Sequence, residues 1–444
     1  MKNDHEWPAR HTILVGVTYF CYSVTAALLL QKLVLPMLGS LHASNGLLNN
    51  DAIFFHNQAL ALAELIKKDG WSAWSMWPAG GGSGNVAALA ALYVLFGPDP
   101  TLLIPINAAL HALSGLLIFK IGRRLWPGRV GVWGGLAASA LFVTFPSALV
   151  WYGQIHKDSF SIAGVLLIVY ALLRAERGDR RGVIAGAGYA AAGIALVFFV
   201  RPYYLKLLLV ASLAAWLTAL AATLIRRPAG ARRLIGPAMV LALVATGVLA
   251  SRILLSGASR YAMASLEGTL YANLPLAGFG WRQSPWLPAY LDQQAELVGK
   301  TRYGLAQYNR SIAARTLIDG DAALQSAGDI ISYAPRALQV AAFAPFPSDW
   351  LAKTSLPVLL GVGETAVWYL LAPGLLVFQR RRRSLGAAMV LVFACALLTM
   401  IGTFEPNVGT LFRLRYTYLQ LLMLMGALGW TSLWLERGPA RKPS

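Results

Sequence analysis

The sequence predicts an all-α integral membrane protein of about ten transmembrane helices, and three observations carry that prediction. The 444 residues are 57% hydrophobic and only 13% charged, with a mean hydropathy of +0.56, far above what a water-soluble surface tolerates. Several apolar runs reach the roughly 20 residues that a helix needs to cross a ~30 Å hydrocarbon core. The basic residues cluster in every second short connection, a pattern that orients helices in a bilayer. These runs lack the two-residue alternation of a membrane barrel.

Apolar length sets the expected spans at about 12–36, 101–119, 130–150, 159–174, 183–199, 204–225, 234–254, 355–378, 384–403 and 416–435. The first run, from about His11 to Leu38, exceeds a signal-peptide core and reads as a retained anchor. Ten spans return both termini to one side. The connections on that side carry Lys2 and Arg10, then Lys120, Arg123, Arg124 and Arg129, then Arg174, Arg177, Arg180 and Arg181. They continue with Arg226, Arg227, Arg232, Arg233, Arg380 to Arg383, Arg437, Arg441 and Lys442. More than half of the 38 Lys and Arg therefore sit in a small minority of the chain, which puts both termini on the cytoplasmic side, and the Ala- and Arg-rich composition fits a bacterial inner membrane. The net charge of +19 thus reports topology, and nucleic acid is not an expected partner. Cys21 and Cys395 both lie in apolar runs, which leaves no disulfide framework or thiol metal cluster to invoke.

Three regions follow. Residues 1–254 form an N-terminal transmembrane module whose first outer loop, 37–100, is the expected seat of catalysis. Residues 255–354 form a larger helical outer segment between spans seven and eight, with Trp281, Trp286, Tyr290, Tyr303, Tyr308 and Trp350 as expected for helices at headgroup level. Residues 355–444 form a C-terminal transmembrane module. The 11-residue apolar stretch Val86 to Phe96 is too short to span and reads as a juxtamembrane or re-entrant helix.

The candidate chemistry gathers on the outer connections. Residues 49–70, NNDAIFFHNQALALAELIKKDG, read as an amphipathic helix beginning near Asp51, with Asn49 and Asn50 able to cap it. Phe55, Ala59, Leu62 and Ile66 make an apolar face that would lay this helix on the membrane. Asp51 is a candidate base, its structural alternative being a simple cap; His56 is a weaker substrate-binding candidate because it lies off the line of Asp51. The third span closes in FPSALVWYGQIHKDSF, which places Gln154, His156, Lys157 and Asp158 at one mouth, with Asp158 as a second catalytic candidate or else a cap for the next helix. Arg201 in VRPYY, and Arg413 and Arg415 in NVGTLFRLRY, are cations at outer span ends, against the topological bias. Pairing of Arg413 and Arg415 with Glu405 would explain them, and so would a phosphate ligand, whose oxygens match guanidinium forks. Glu364 is an acid within the eighth span, either functional or a buried structural carboxyl.

Taken in order, these residues resemble the GT-C superfamily of membrane glycosyltransferases, in particular the bacterial group related to protein O-mannosyltransferases and aminoarabinose transferases. The likeness runs through Asp51 and its helix, the segment NVAALAALYVLFGPDP, the basic turn KIGRRLWPGRVG and the polar loop ending at Asp158. It extends to PRALQVAAFAPFPSDW and NVGTLFRLRY. The resemblance implies a polyprenyl-phosphate-linked sugar as donor and a glycan, lipid or protein hydroxyl as acceptor, with inversion at the sugar carbon. With the residue readings above, catalysis is expected of Asp51 and Asp158, and substrate binding of His56, Gln154, His156, Lys157, Arg201, Glu364, Arg413 and Arg415. No cofactor is expected: oligosaccharyltransferase-type members hold a divalent cation with paired acids, whereas asparagines precede Asp51 here. A polymerase or ligase of lipid-linked glycans fits the same residues, and a lipid or solute transporter is the non-enzyme alternative.

Overall fold

The computed structural model describes residues 7–39, 41–48, 51–78, 82–226, 232–254, 275–314, 316–350 and 356–436. Regular structure among them is helical, apart from the isolated bridges His42 to Leu48 and Leu317 to Asn407. Nine of the described helices are long and apolar enough to cross a membrane, or ten if one bent pair counts as a single span. They are Ala9–Met37, Pro100–Leu125, Asp158–Ala175, Arg180–Val200, Tyr204–Ile225, Arg232–Leu254, Val358–Arg381, Leu385–Phe404 and Tyr416–Leu435. Large apolar side chains such as Leu370, Trp434 and Ile253 project outward from these helices, as lipid-facing positions do. The chain is a multi-pass, all-α membrane protein.

The bent pair corrects the expected third span. Arg129–Thr144 and Pro146–Tyr152 meet at 63°. Pro146 lacks an amide hydrogen and crowds the residue before it, so Phe145 turns to extended backbone (φ −58°, ψ 129°) and the helix restarts in a new direction. The restarted helix delivers residues 153–158 across the end of the bundle.

A second correction concerns the amphipathic helix, which spans Asp51–Asp69. Its apolar face is buried as read, with Phe55, Ala59, Leu62 and Ile66 all covered, but by protein and not by lipid. The 13-residue helix Gly84–Phe96 packs along it through Val86, Leu89, Ala90 and Tyr93, and Leu47, Leu103 and Ile155 close the cluster. An amphipathic helix and a short apolar one thus cover each other's apolar faces and cap the bundle. The proposed caps Asn49 and Asn50 lie outside the described residues.

Asp158–Ala175 is the central helix, buried on every side along nearly its whole length. Its approach to Arg180–Val200 is set by two small residues: a Cβ on Gly193 would lie 2.4 Å from the carbonyl oxygen of Gly164. Backbone-to-backbone contact of this kind is how helices associate without a hydrophobic drive in lipid. It brings the start of the first helix and the end of the second, Asp158 and Arg201, side by side.

The arginine-rich turns meet at the other end of the bundle. Arg124 donates to the carbonyl of Leu173, Arg382 donates to that of Leu125, and the Gly386 amide donates to Glu176. Of the segment between spans seven and eight, the helices Ala289–Ser311 and Ala327–Phe343 are described. Arg302 fastens them to the bundle by donating to the carbonyls of Gly402 and Thr403, while Arg336 grips Asp319 through two nitrogens at 2.8 and 3.0 Å. Trp286, Tyr290 and Tyr308 are exposed. Trp281, Tyr303 and Trp350 instead donate hydrogen bonds within the protein, to Asp292, Ala277 and Pro345.

Candidate functional site

Asp158 opens the central helix with 2% of its surface exposed. An isolated carboxylate there would be costly, and it is paired: Arg201 donates from Nη2 to Oδ1 at 2.7 Å and from Nη1 to Ser161 Oγ at 2.8 Å. Arg201 occupies the C-cap of Arg180–Val200, where Pro202 prevents the helix from continuing and frees the side chain to turn back toward Asp158. Burial opposes its charge, but Asp158, together with Tyr203 and Tyr204, raises its pKa above the ordinary value.

Arg413 comes from a short helix, Val408–Leu414, whose start is fixed by Asn407 accepting from the amides of Gly409 and Thr410. Its Nη1 donates to Asp51 Oδ2 at 2.7 Å, and its Nε stands 3.9 Å from Asp158 Oδ2. One guanidinium therefore lies between the two carboxylates. Burial pushes the Asp51 carboxyl up, but Arg413, with smaller help from His156 and Lys157, holds it below the ordinary carboxylate range. The Asp51 side chain is 50% exposed and that of Arg413 23%, so the cluster opens to its surroundings on this side.

The loop before Asp158 supplies the remaining groups. Gln154 is a structural tie: its Oε1 accepts from the Leu48 amide at 2.8 Å and its Nε2 donates to the carbonyls of Gly46 and Gly153. Asn107 and Gln31 hold the same loop by donating to the carbonyls of Gln154 and Gly153. His156 is 1% exposed, packs its ring edge-on to Phe55, and carries Nδ1 3.8 Å from Asp158 Oδ2. Burial drives its pKa down to about 4, more than the Asp158 carboxylate restores, so the ring is neutral near pH 7. The Lys157 ammonium lies 5.8 Å from the centre of the Phe55 ring and 6.0 Å from that of Tyr203. Burial raises the Tyr203 phenol, but Lys157, Arg201 and Arg413 together lower its pKa below the ordinary value.

Asp51, His156, Lys157, Asp158, Arg201 and Arg413 therefore converge, with Gln154 as a support. Lys157, Arg201 and Arg413 face two carboxylates, an excess of one positive charge that suits an anionic ligand. Both carboxylates are already engaged by guanidinium groups. Among the described residues, no group of three or more His, Cys, Asp or Glu gathers with metal-ligand geometry.

Three expected members are elsewhere. His56 is buried against the short helix, with Nδ1 2.7 Å from the Tyr93 hydroxyl, where it helps join the two capping helices. Arg415 donates to the Ala341 carbonyl at 2.9 Å and lies over the Phe412 ring, because two positions on a helix turn a side chain to the opposite face from Arg413. Glu364 accepts from the amide and hydroxyl of Ser147, both at 2.6 Å, clamping the helix that restarts after the bend. Glu364 and Arg415 line a narrow cavity with Phe145, Phe412 and Tyr416. The anticipated partner Glu405 accepts from the Asn407 amide, so the arginines go to Asp51 and Ala341 instead.

The sequence reading missed Phe55 and Tyr203 as walls of the cluster and Ser161 as the second anchor of Arg201. VRPYY places Tyr203 two positions after Arg201, a signal available in advance. No family model matches this chain, and no curated protein does.

Proposed function

We propose that the protein transfers a sugar from a polyprenyl-phosphate donor to an acceptor hydroxyl on a glycan, lipid or protein, at the extracytoplasmic face of a bacterial inner membrane. The observation that carries this reading is Arg413 lying between Asp51 and Asp158, with Lys157 and Arg201 beside it, at the end of the bundle opposite the arginine-rich turns. A lipid phosphate sits at that depth, and guanidinium groups match its oxygens.

In this reading Asp51, the exposed carboxylate, accepts the proton of the acceptor hydroxyl as its oxygen bonds to the sugar's C1. The C1–O bond to phosphate breaks from the opposite face, its electron pair leaves with the phosphate oxygen, and the configuration inverts in one displacement. The departing phosphate gains negative charge, and Lys157 and Arg413 are the cations available to it, since Arg201 is spent on Asp158 and Ser161. Each such contact contributes about 3 kcal/mol in a partly dehydrated cleft. Transfer proceeds here without a divalent cation, because the carboxylates that would hold one already pair with arginines.

The test is a lipid-linked-sugar transfer assay with Asp51→Asn in nanodiscs. The variant is expected to fold, to bind donor and to lose at least a hundredfold in turnover, on the scale of a lost general base. Full activity in a folded variant removes Asp51 from the chemistry.

A further inference from the structure

Around Asp158 Oδ2 the cluster leaves polar atoms without partners. Oδ1 of the same carboxylate is satisfied by Arg201, but Oδ2 is buried and accepts no hydrogen bond. His156, 1% exposed, makes none through Nδ1 or Nε2, and Arg413 makes none through Nε. Nδ1 and Nε lie 3.8 and 3.9 Å from Oδ2, too far for direct bonds. Unpaired buried groups of this kind cost about 1–3 kcal/mol each, so their convergence calls for an occupant. A single oxygen making hydrogen bonds of about 2.8 Å to two atoms separated in this way joins them at close to a right angle, within what a hydroxyl accommodates.

The chemistry of the frame selects that oxygen. Asp158 Oδ2 only accepts and Arg413 Nε–H only donates, so the occupant must give one hydrogen bond and take another. A neutral hydroxyl does both. An ammonium would face the guanidinium groups of Arg413 and Arg201 at close range, and a carboxylate would face Asp158. His156, neutral near pH 7, takes either role according to its tautomer.

We propose that Asp158, His156 and Arg413 form a seat for one ring hydroxyl of the transferred sugar, which makes the substrate a neutral sugar at that position and not an amino sugar or a uronic acid. This rests on the transferase reading above, in which Asp51 handles the reacting hydroxyl and the seat holds a second one. Arg413 is the least buried member of the frame, its side chain 23% exposed, so the sugar hydroxyl approaches the seat from that side.

The experiment measures binding of undecaprenyl phosphate, of undecaprenyl-phosphate glucose, and of that glucoside with each ring or exocyclic hydroxyl replaced in turn by an amine, to the full-length protein in nanodiscs. One amine-bearing member is expected to bind at least about tenfold more weakly than the parent, as a site built for a hydroxyl rejects its replacement. His156→Ala should erase that difference, and a cooperative thermal unfolding transition in the nanodisc reports that the variant is folded. Equal binding of every glucoside by the wild type overturns the seat and leaves the lipid-phosphate reading standing. Failure of the wild type to bind even undecaprenyl phosphate removes both. Should His156→Ala not fold, the wild-type series decides by itself.

Discussion

Arg413 donates from Nη1 to Asp51 Oδ2 at 2.7 Å across 362 positions of chain. The pair joins the first long loop to the last connection of the bundle, and it fixes the ionisation of Asp51: burial alone would raise that carboxyl, and the guanidinium holds it low.

A shift in pH dependence follows. A general base works when deprotonated, so the acid limb of transfer in the wild type should lie below the ordinary carboxylate range. Arg413→Ala removes the largest stabiliser of the anion and leaves burial in place, which moves the limb to higher pH, and donor affinity falls as well. Profiles of kcat/KM against pH for wild type and Arg413→Ala check this. An unmoved limb in an active variant shows that Asp51 is not the titrating base.

What could be read in advance has a physical boundary. The apolar face of Phe55, Ala59, Leu62 and Ile66 was legible because helical spacing is local, and so was the shortness of the Val86 to Phe96 run. That the two cover each other is a tertiary fact with no local signal. The break at Phe145 was written in the dipeptide with Pro146, but apolar length outweighed it and suggested one span. Arg413 and Arg415 looked alike as cations near a span end. Only the start of the helix at Val408 decides which one faces Asp51, and that start depends on Asn407.

The Asp158–Arg201 pair carries a stability prediction. Arg201→Met strands a carboxylate that is 2% exposed, at a cost of about 3–5 kcal/mol, whereas Asp158→Leu combined with Arg201→Met removes both charges and should recover most of that loss. Thermal unfolding in detergent of the two single variants and the double variant measures the coupling. Additive losses would show that the pair does not act as a unit.

Glu364 should behave differently from the cluster. It accepts both the amide and the hydroxyl of Ser147 beside the bend, and it shares a cavity with Arg415, whose Nε and Nη2 have no partner. Glu364→Ala takes the partner from two partly buried donors, at about 1 kcal/mol each. The expected result is a lowered melting temperature with donor affinity unchanged at a temperature where the variant is folded. Weakened donor binding there would return Glu364 to the substrate site.

Two buried groups in the connections between helices should imprint opposite pH dependences on stability. Burial raises Glu405 from an ordinary 4.5 to about 7, more than its bond from the Asn407 amide and the nearby arginines lower it. The folded protein therefore holds a proton that the unfolded chain releases, and Glu405 costs stability progressively as pH rises from about 4.5 to about 7. Burial lowers His156 from 6.5 to about 4, so the unfolded chain takes up a proton that the folded protein refuses, and stability is lost as pH falls through that window. The melting temperature of Glu405→Gln relative to wild type should accordingly climb with pH, and that of His156→Asn should climb as pH drops. Because the windows overlap between pH 4.5 and 6.5, the wild-type curve alone conceals both contributions. The difference curves separate them, and a flat difference for either variant shows that its group titrates alike in the folded and unfolded states.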